Sequence, residues 1–309
     1  MTAEALIGRA GVMPVGRGVV ADALGALVRN RPAIVGMTIL GILLTTAILA
    51  DLIAPYPPHK VLFGEGAEPR DAPCIHLLGC PADQPEHIMG IDSNGRDEFS
   101  RVVHGARLSL FVGLSTVGFA IIIGTVLGAI AGYTGGWADN GIMRVMDVLL
   151  AFPSLLLAIA IVTLLGPGLI NALIAIGFVQ IPIYARIVRS SVLSVKEMDF
   201  VTAERALGAS PARILFRRIL PNSLTPLIVQ GTLGIATAVL DAAALSFIGL
   251  GAQPPLAEWG AMIGTERNLA FRSAPFLIFF PGGALALTVL GFNLLGDGLR
   301  DALDPRLNR

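Results

Sequence analysis

Two cysteines and two histidines stand close together, Cys74, His76, Cys80 and His87, in the pattern C-x-H-x3-C-x6-H. Thiols and imidazoles at this spacing allow three chemistries. The five residues between the cysteines can close a disulfide in an oxidising compartment; the thiols can stay free; or the four side chains can gather a metal, although the spacing is only a weak match to zinc patterns. A carboxylate, Asp241, stands inside an apolar run. At the centre of a membrane span an Asp costs about 2.5–3.5 kcal/mol, so Asp241 must face protein or water. It either lines a pathway or packs as a hydrogen-bonded group. Other chemistry lacks its parts. The chain has only two lysines, Lys60 and Lys196, and neither follows a glycine, so no lysine can reach nucleotide phosphates from a P-loop. No HExxH helix occurs. Ser154, Ser190 and Ser191 lie in or beside apolar runs that hold no histidine to act as base, because His59, His76, His87 and His104 all precede residue 105. No catalytic residue, bound cofactor or resident metal is expected, and a formal charge of zero gives no reason to expect a nucleic-acid partner.

The elements that hold these residues are set by hydropathy. Of 309 residues 54% are hydrophobic and 14% charged, against roughly 25% charged in a soluble domain. The apolar residues come in blocks long enough to cross a bilayer, which takes about 20 residues. Six spans are expected, near Pro32–Ile53, Leu108–Tyr133, 148–165, 169–189, Leu224–Gly249 and Ala274–Leu295. The break between the third and fourth is Gly166-Pro167-Gly168. The first run begins late and has no small-residue cleavage site after it, so it reads as an uncleaved span and not a signal peptide. Pro153 and Pro182 are candidate kinks, and Gly124-x3-Gly128 permits close helix approach. With the N-terminus inside, inner segments carry 15 of the Lys and Arg residues and outer segments 7. That bias places both termini in the cytoplasm. Residues 1–31 are then a cytoplasmic segment, 32–53 the first span, 54–106 an outer loop with both cysteines, 107–296 a five-span domain and 297–309 a cytoplasmic tail. Asp147 falls near an inner face, as an interfacial or Arg144-linked group.

The longest polar interruption in the second half, Lys196 to Pro226, reads as two short helices. Asp199 can N-cap Phe200–Leu207, Gly208 can end it in a left-handed conformation, and Ser210-Pro211 can open a second helix that Leu220-Pro221 stops.

This stretch resembles the cytoplasmic signature of membrane subunits of binding-protein-dependent ABC importers: Glu-Ala-Ala, three residues, Gly, nine residues, Ile-x-Leu-Pro. Here Thr202-Ala203-Glu204 takes the first triplet, Gly208 the glycine and Arg218-Ile219-Leu220-Pro221 the last part. Ala203, Gly208, Leu220 and Pro221 match, while Thr202, Glu204 and Arg218 depart. The blocks GIDSNGRDEFSRVVHGARLSL (90–110), GYTGGWADNGIMRVMDVLLAFPSLLLA (132–158), LSFIGLGAQPPLAEWGAMI (245–263) and NLLGDGLRDALDP (293–305) look like the peptide and nickel class, nearest to C-type subunits of dipeptide systems. The insert at 73–87 is longer than that pattern. The resemblance implies an all-α polytopic membrane protein, a type I ABC importer transmembrane domain. It implies a heterodimer with a second, homologous permease, two ATPase subunits that hold ATP and Mg2+, and an extracytoplasmic peptide-binding protein. Residues 196–221 become the coupling loop, with Asp199, Thr202, Ala203, Glu204, Arg205, Gly208, Ala209 and Ser210 as ATPase-coupling candidates. Asp241 becomes a pathway candidate, and the loop at 251–260 an outer loop near the docking face of the binding protein. Cargo would be dipeptides or short oligopeptides; nickel or another small solute is the alternative. A secondary transporter or an intramembrane enzyme is a poorer fit to the residues present.

Overall fold

A computed structural model describes residues 25–63, 66–81, 84–267 and 273–303. The first 24 residues, Arg272 and the tail beyond 303 lie outside the described residues, and with them Arg9, Arg17 and part of each terminal segment. The described residues are helical, with isolated bridges but no strand. Five helices are long and apolar enough to cross a membrane: α1 (Arg31–Ile48), α3 (Glu98–Thr134), α6 (Leu169–Lys196), α8 (Pro211–Phe247) and α10 (Phe276–Leu303). A short α2 (Ala50–Ile53) follows α1, α7 (Asp199–Ala206) precedes α8, and α9 (Trp259–Glu266) precedes α10. One further helix pair is apolar enough to count as a sixth crossing, as a broken span or a re-entrant loop. Helices α4 (Gly136–Leu150) and α5 (Ser154–Leu165) meet at 92°.

That bend falls at Pro153, one of the two expected kinks, and is too sharp for the single span expected at 148–165. Helix α5 alone has 12 residues, about 18 Å at 1.5 Å per residue, short of a bilayer. Pro153 has no N–H to donate, and its ring pushes the preceding residue out of the helical region, so the chain turns at Ala151-Phe152-Pro153. Elsewhere the helices outrun the apolar blocks. Helix α3 starts at Glu98, α6 runs on to Lys196, α8 starts at Pro211, and α10 reaches Leu303. Charged residues end the apolar run but not the backbone hydrogen bonding, which continues past it.

The core is the seam of α3 against α6. Gly124, Gly128 and Gly132 lie one turn apart on α3, and Tyr184, Ala185, Val188 and Val192 of α6 press on that stripe. A Cβ on Gly124 would sit 2.7 Å from that of Tyr184, and one on Gly128 would collide with the carbonyl of Ala185. Only glycine allows this separation, the small-residue packing expected of membrane helices. Helices α8 and α10 complete the bundle. Helix α1 leans mainly on α10, with a smaller contact to α3, and leaves Val35, Ile42, Leu44 and Ile48 exposed, which is the pattern of a lipid-facing peripheral helix. At one end the loop from 54 to 97 caps the bundle; at the other stand α7 and the start of α8.

Candidate functional site

At the α7 end the chain is built by local rules. Helix α6 ends at Lys196, whose Nζ donates to the carbonyl of Tyr133 (2.9 Å). Glu197 and Met198 make the turn. Met198, extended at φ −74° and ψ 147°, is the N-cap of α7 and offers no side-chain acceptor. This corrects the expected cap at Asp199. The long α6 uses up the preceding residues, so Asp199 is the first helical residue, where its charge still favours the helix N-terminus. Helix α7 ends in a Schellman motif. Gly208 has φ +80°, its N–H donates to Arg205 O, and the N–H of Ala209 donates to Glu204 O (both 3.1 Å). Ser210 then accepts from the N–H of Arg213 with Pro211 at the first helical position.

The second helix does not stop at Leu220-Pro221. It passes through a π turn at Leu215–Ile219 and becomes the membrane helix α8. In an α-helix the Pro221 ring would clash with the carbonyl four residues back, and the wider turn relieves that clash. Carbonyls freed nearby find side chains: Asn222 Nδ2 donates to Arg218 O (2.6 Å) and Ser223 Oγ to Ile219 O (2.9 Å). Arg218 forms an ion pair with Glu204, tying α7 to the π turn. Val201, Ile214 and Ile219 are buried against the bundle. Asp199, Phe200, Thr202, Ala203, Arg205, Gly208 and Ser210 are exposed; Glu204 and Ala209 are half-buried. Leu207 is 85% exposed and Phe216 66%, an apolar surface on a part of the chain that stands clear of the bundle.

Asp241 lies on α8 on the wall of a cavity of about 220 Å³. Gln180 and Tyr184 of α6, Gln230 and Thr237 of α8, and Phe152 and Ser154 at the bend share that wall. The break in α4–α5 thus opens onto the cavity, as irregular backbone at membrane depth must open onto protein or water. The first turn of α5 has no side-chain cap. Asp241 has no hydrogen-bond or ion-pair partner among the described residues, and the buried Oε1 of Gln180 has none either. Asp147 is exposed and makes no ion pair with Arg144; the ion pair at this level is Arg189 with Asp139 (2.5 and 2.6 Å).

The opposite end holds a buried ionic network that sequence reading did not find. Asp92 accepts from Arg96 Nε (2.7 Å) and from the N–H groups of Asn94 and Arg96, with Arg101 Nε 3.5 Å away. Asp97 caps α3, accepting from Ser100 N (2.8 Å), and meets His87 Nδ1 at 3.0 Å. Glu266 joins Arg70 and the N–H of Ser93. Glu258 caps α9 through the N–H groups of Gly260 and Ala261 (3.0 and 2.8 Å), and burial pushes its carboxyl above the usual range. The indole of Trp259, 1% exposed, donates to Val102 O. Trp259 is therefore a packing anchor between the 250s loop and α3. Cys74 and Cys80 are joined as a disulfide, bracketed by reciprocal backbone bonds of Cys74 with His87 (2.9 Å each way). Among the described residues no three His, Cys, Asp or Glu side chains are placed to hold a metal. The signal that could have announced the network was the density of Asp and Arg in residues 92–101.

Residues 124–309 match the family model of the binding-protein-dependent transport system inner membrane component. Residues 19–69 match the N-terminal TM domain of oligopeptide transport permease C. The dipeptide transport system permease protein DppC of Alkalihalophilus pseudofirmus is 51% identical over 93% of this chain and 90% of its own length. DppC of Escherichia coli K12 is 50% identical over 91% of each. The glutathione transport system permease protein GsiD of Pectobacterium atrosepticum is 50% identical over 72% of this chain and 73% of its own. In fold, the chain is similar to a subunit of the MetNI methionine ABC transporter in an inward-facing crystal form, with a TM-score of 0.54 and 20% identity over 66% of this chain and 96% of that one.

Proposed function

Because this chain belongs to the family of binding-protein-dependent transport system inner membrane components, we propose that it is the C-type permease subunit of an ATP-driven peptide importer. The observation that carries the reading is about 50% identity, over nine-tenths of both chains, to dipeptide permease subunits. Cargo is then di- or short oligopeptides. Nickel, the alternative the sequence left open, has no support among the relatives described above.

The chain itself does no chemistry. It forms half of a pathway with a second, homologous permease. Two ATPases bind at the α7 end, and a peptide-binding protein delivers cargo at the end capped by the 54–97 loop. The α7 end is cytoplasmic, as are both termini, and the disulfide end faces out. The charge bias supports this orientation, as does an oxidised Cys74–Cys80 pair. Helix α7 is the coupling element: one residue, Val201, anchors it in the bundle while most of its surface is free for a partner. Since α7 is bonded to the base of α8 through Glu204 and Arg218, a push on α7 is passed into a helix that lines the cavity. ATPase closure would then move whole packed helices, a rigid-body transition.

The test is co-purification and reconstitution. Tagged chain should bring down two ATPases and a second permease, and vesicles with the binding protein should accumulate dipeptide only with ATP. The chain alone should show no ATP hydrolysis above background; hydrolysis that persists without any ATPase subunit would refute the assignment.

A further inference from the structure

The cavity beside the α4–α5 bend carries a carboxylate that nothing in the chain uses. Asp241 is its only charged residue among the described ones, and it is unpaired. Gln180, 7% exposed, contributes to the same wall, but its unpartnered Oε1 is itself buried and not open to that space. A buried acceptor without a donor costs roughly 1–3 kcal/mol, and an unpaired carboxylate in a membrane span costs more. Folding alone gives no return for that carboxylate. Helix α8 could hold Asn or Leu at 241 with no bond lost. A visiting group that removes the cost must bring a positive charge and several N–H donors on a small head. A primary ammonium does this; a carboxylate or a neutral amide carbonyl does not.

We propose that Asp241 forms a subsite for the ammonium group at the N-terminus of the peptide cargo as it crosses this subunit. The proposal rests on the peptide-importer reading and names the part of the cargo that this wall selects. The space, about 220 Å³, has room for the ammonium and a small first side chain. Thr237 lies one turn before Asp241 on the same wall and can present an exposed reporter.

The test uses the assembled complex carrying Thr237→Cys. Cys74 and Cys80 are tied to each other and give no background. Aminoethyl methanethiosulfonate, a cation, should label residue 237 about tenfold faster than the sulfonatoethyl anion, the size of effect a charged cleft has on encounter rates. Adding Asp241→Asn should bring the two rates within about twofold. Millimolar alanyl-alanine, added without binding protein so that delivery plays no part, should slow cationic labelling; N-acetyl-alanyl-alanine should not. Equal labelling by both reagents with Asp241 intact, or equal protection by both peptides, would overturn the subsite. If Asp241→Asn prevents assembly, the single Thr237→Cys variant still decides through its rate ratio and its peptide protection. A wild-type complex that moves no dipeptide would instead fail the functional reading, whereas transport without cation preference fails only the subsite.

Discussion

Gly208 concentrates the most consequence in the fewest atoms. Its φ of +80° lies where an L side chain is strained by about 1–2 kcal/mol, while a Cβ there would meet no atom within 4 Å. The penalty of a substitution is therefore conformational and not steric. Gly208→Val should leave membrane insertion intact and weaken ATPase association or abolish stimulated hydrolysis. Gly208→Asn, which visits the left-handed region more readily, should lose less. The two variants, compared by pull-down and hydrolysis rate, check this; equal loss would argue that bulk and not backbone conformation matters. Gly231→Ala is the control: its Cβ meets only the end of the Ile121 side chain and should act, if at all, through packing. At the opposite end Glu258 gives a pH signature. Burial raises its folded pKa above the unfolded value, so its contribution to stability is complete below the ordinary glutamate range and is lost as pH rises through the folded value. Melting of wild type relative to Glu258→Gln should therefore become less favourable as pH rises above the ordinary glutamate value of 4.5. A difference that does not change with pH would remove burial of the charge as the cause.

Among elements, the α3–α6 seam should be the least forgiving. Gly128→Leu forces apart two backbones in contact and should destabilise the subunit by about 1–3 kcal/mol or more, read as a lower melting temperature in detergent. Gly41→Ala in peripheral α1 meets nothing within 4 Å and should stay within about 1 kcal/mol of wild type. The inverse order would mean that α1 and not the seam governs stability. Elements were legible in the sequence to the degree that their causes are local. The Schellman turn at Gly208 and the Ser210-Pro211 start depend on a few adjacent residues and could be read directly. The π turn before Pro221 could not, and at Pro153 a kink could be read but not its right-angled size. Proline marks a conflict, but whether the chain stops, widens or folds back depends on what packs around it. The ionic network was hidden for another reason: Arg70 and Glu266, or Asp92 and Arg101, are brought together by the loop fold and the helix ends, and hydropathy carries no information on pairing.

For the molecule as a whole, orientation is what every other assignment leans on. The argument is electrostatic: Lys and Arg favour the cytoplasmic flank of a span, and the segments that include the α7 connector hold 15 of them against 7. The structure adds a physical marker at each end. The exposed Arg205 lies on α7, and the Cys74–Cys80 disulfide lies in the loop that caps the other end. A single chain can therefore report both sides. In Arg205→Cys, an impermeant maleimide added to intact cells should label nothing while the disulfide is closed. After mild reduction by an impermeant phosphine it should label Cys74 and Cys80 alone. Inside-out vesicles should give the reverse, with residue 205 labelled without any reductant. Labelling at 205 from outside would invert the molecule. It would put the coupling surface out of reach of any cytoplasmic ATPase, however well α7 fits the part.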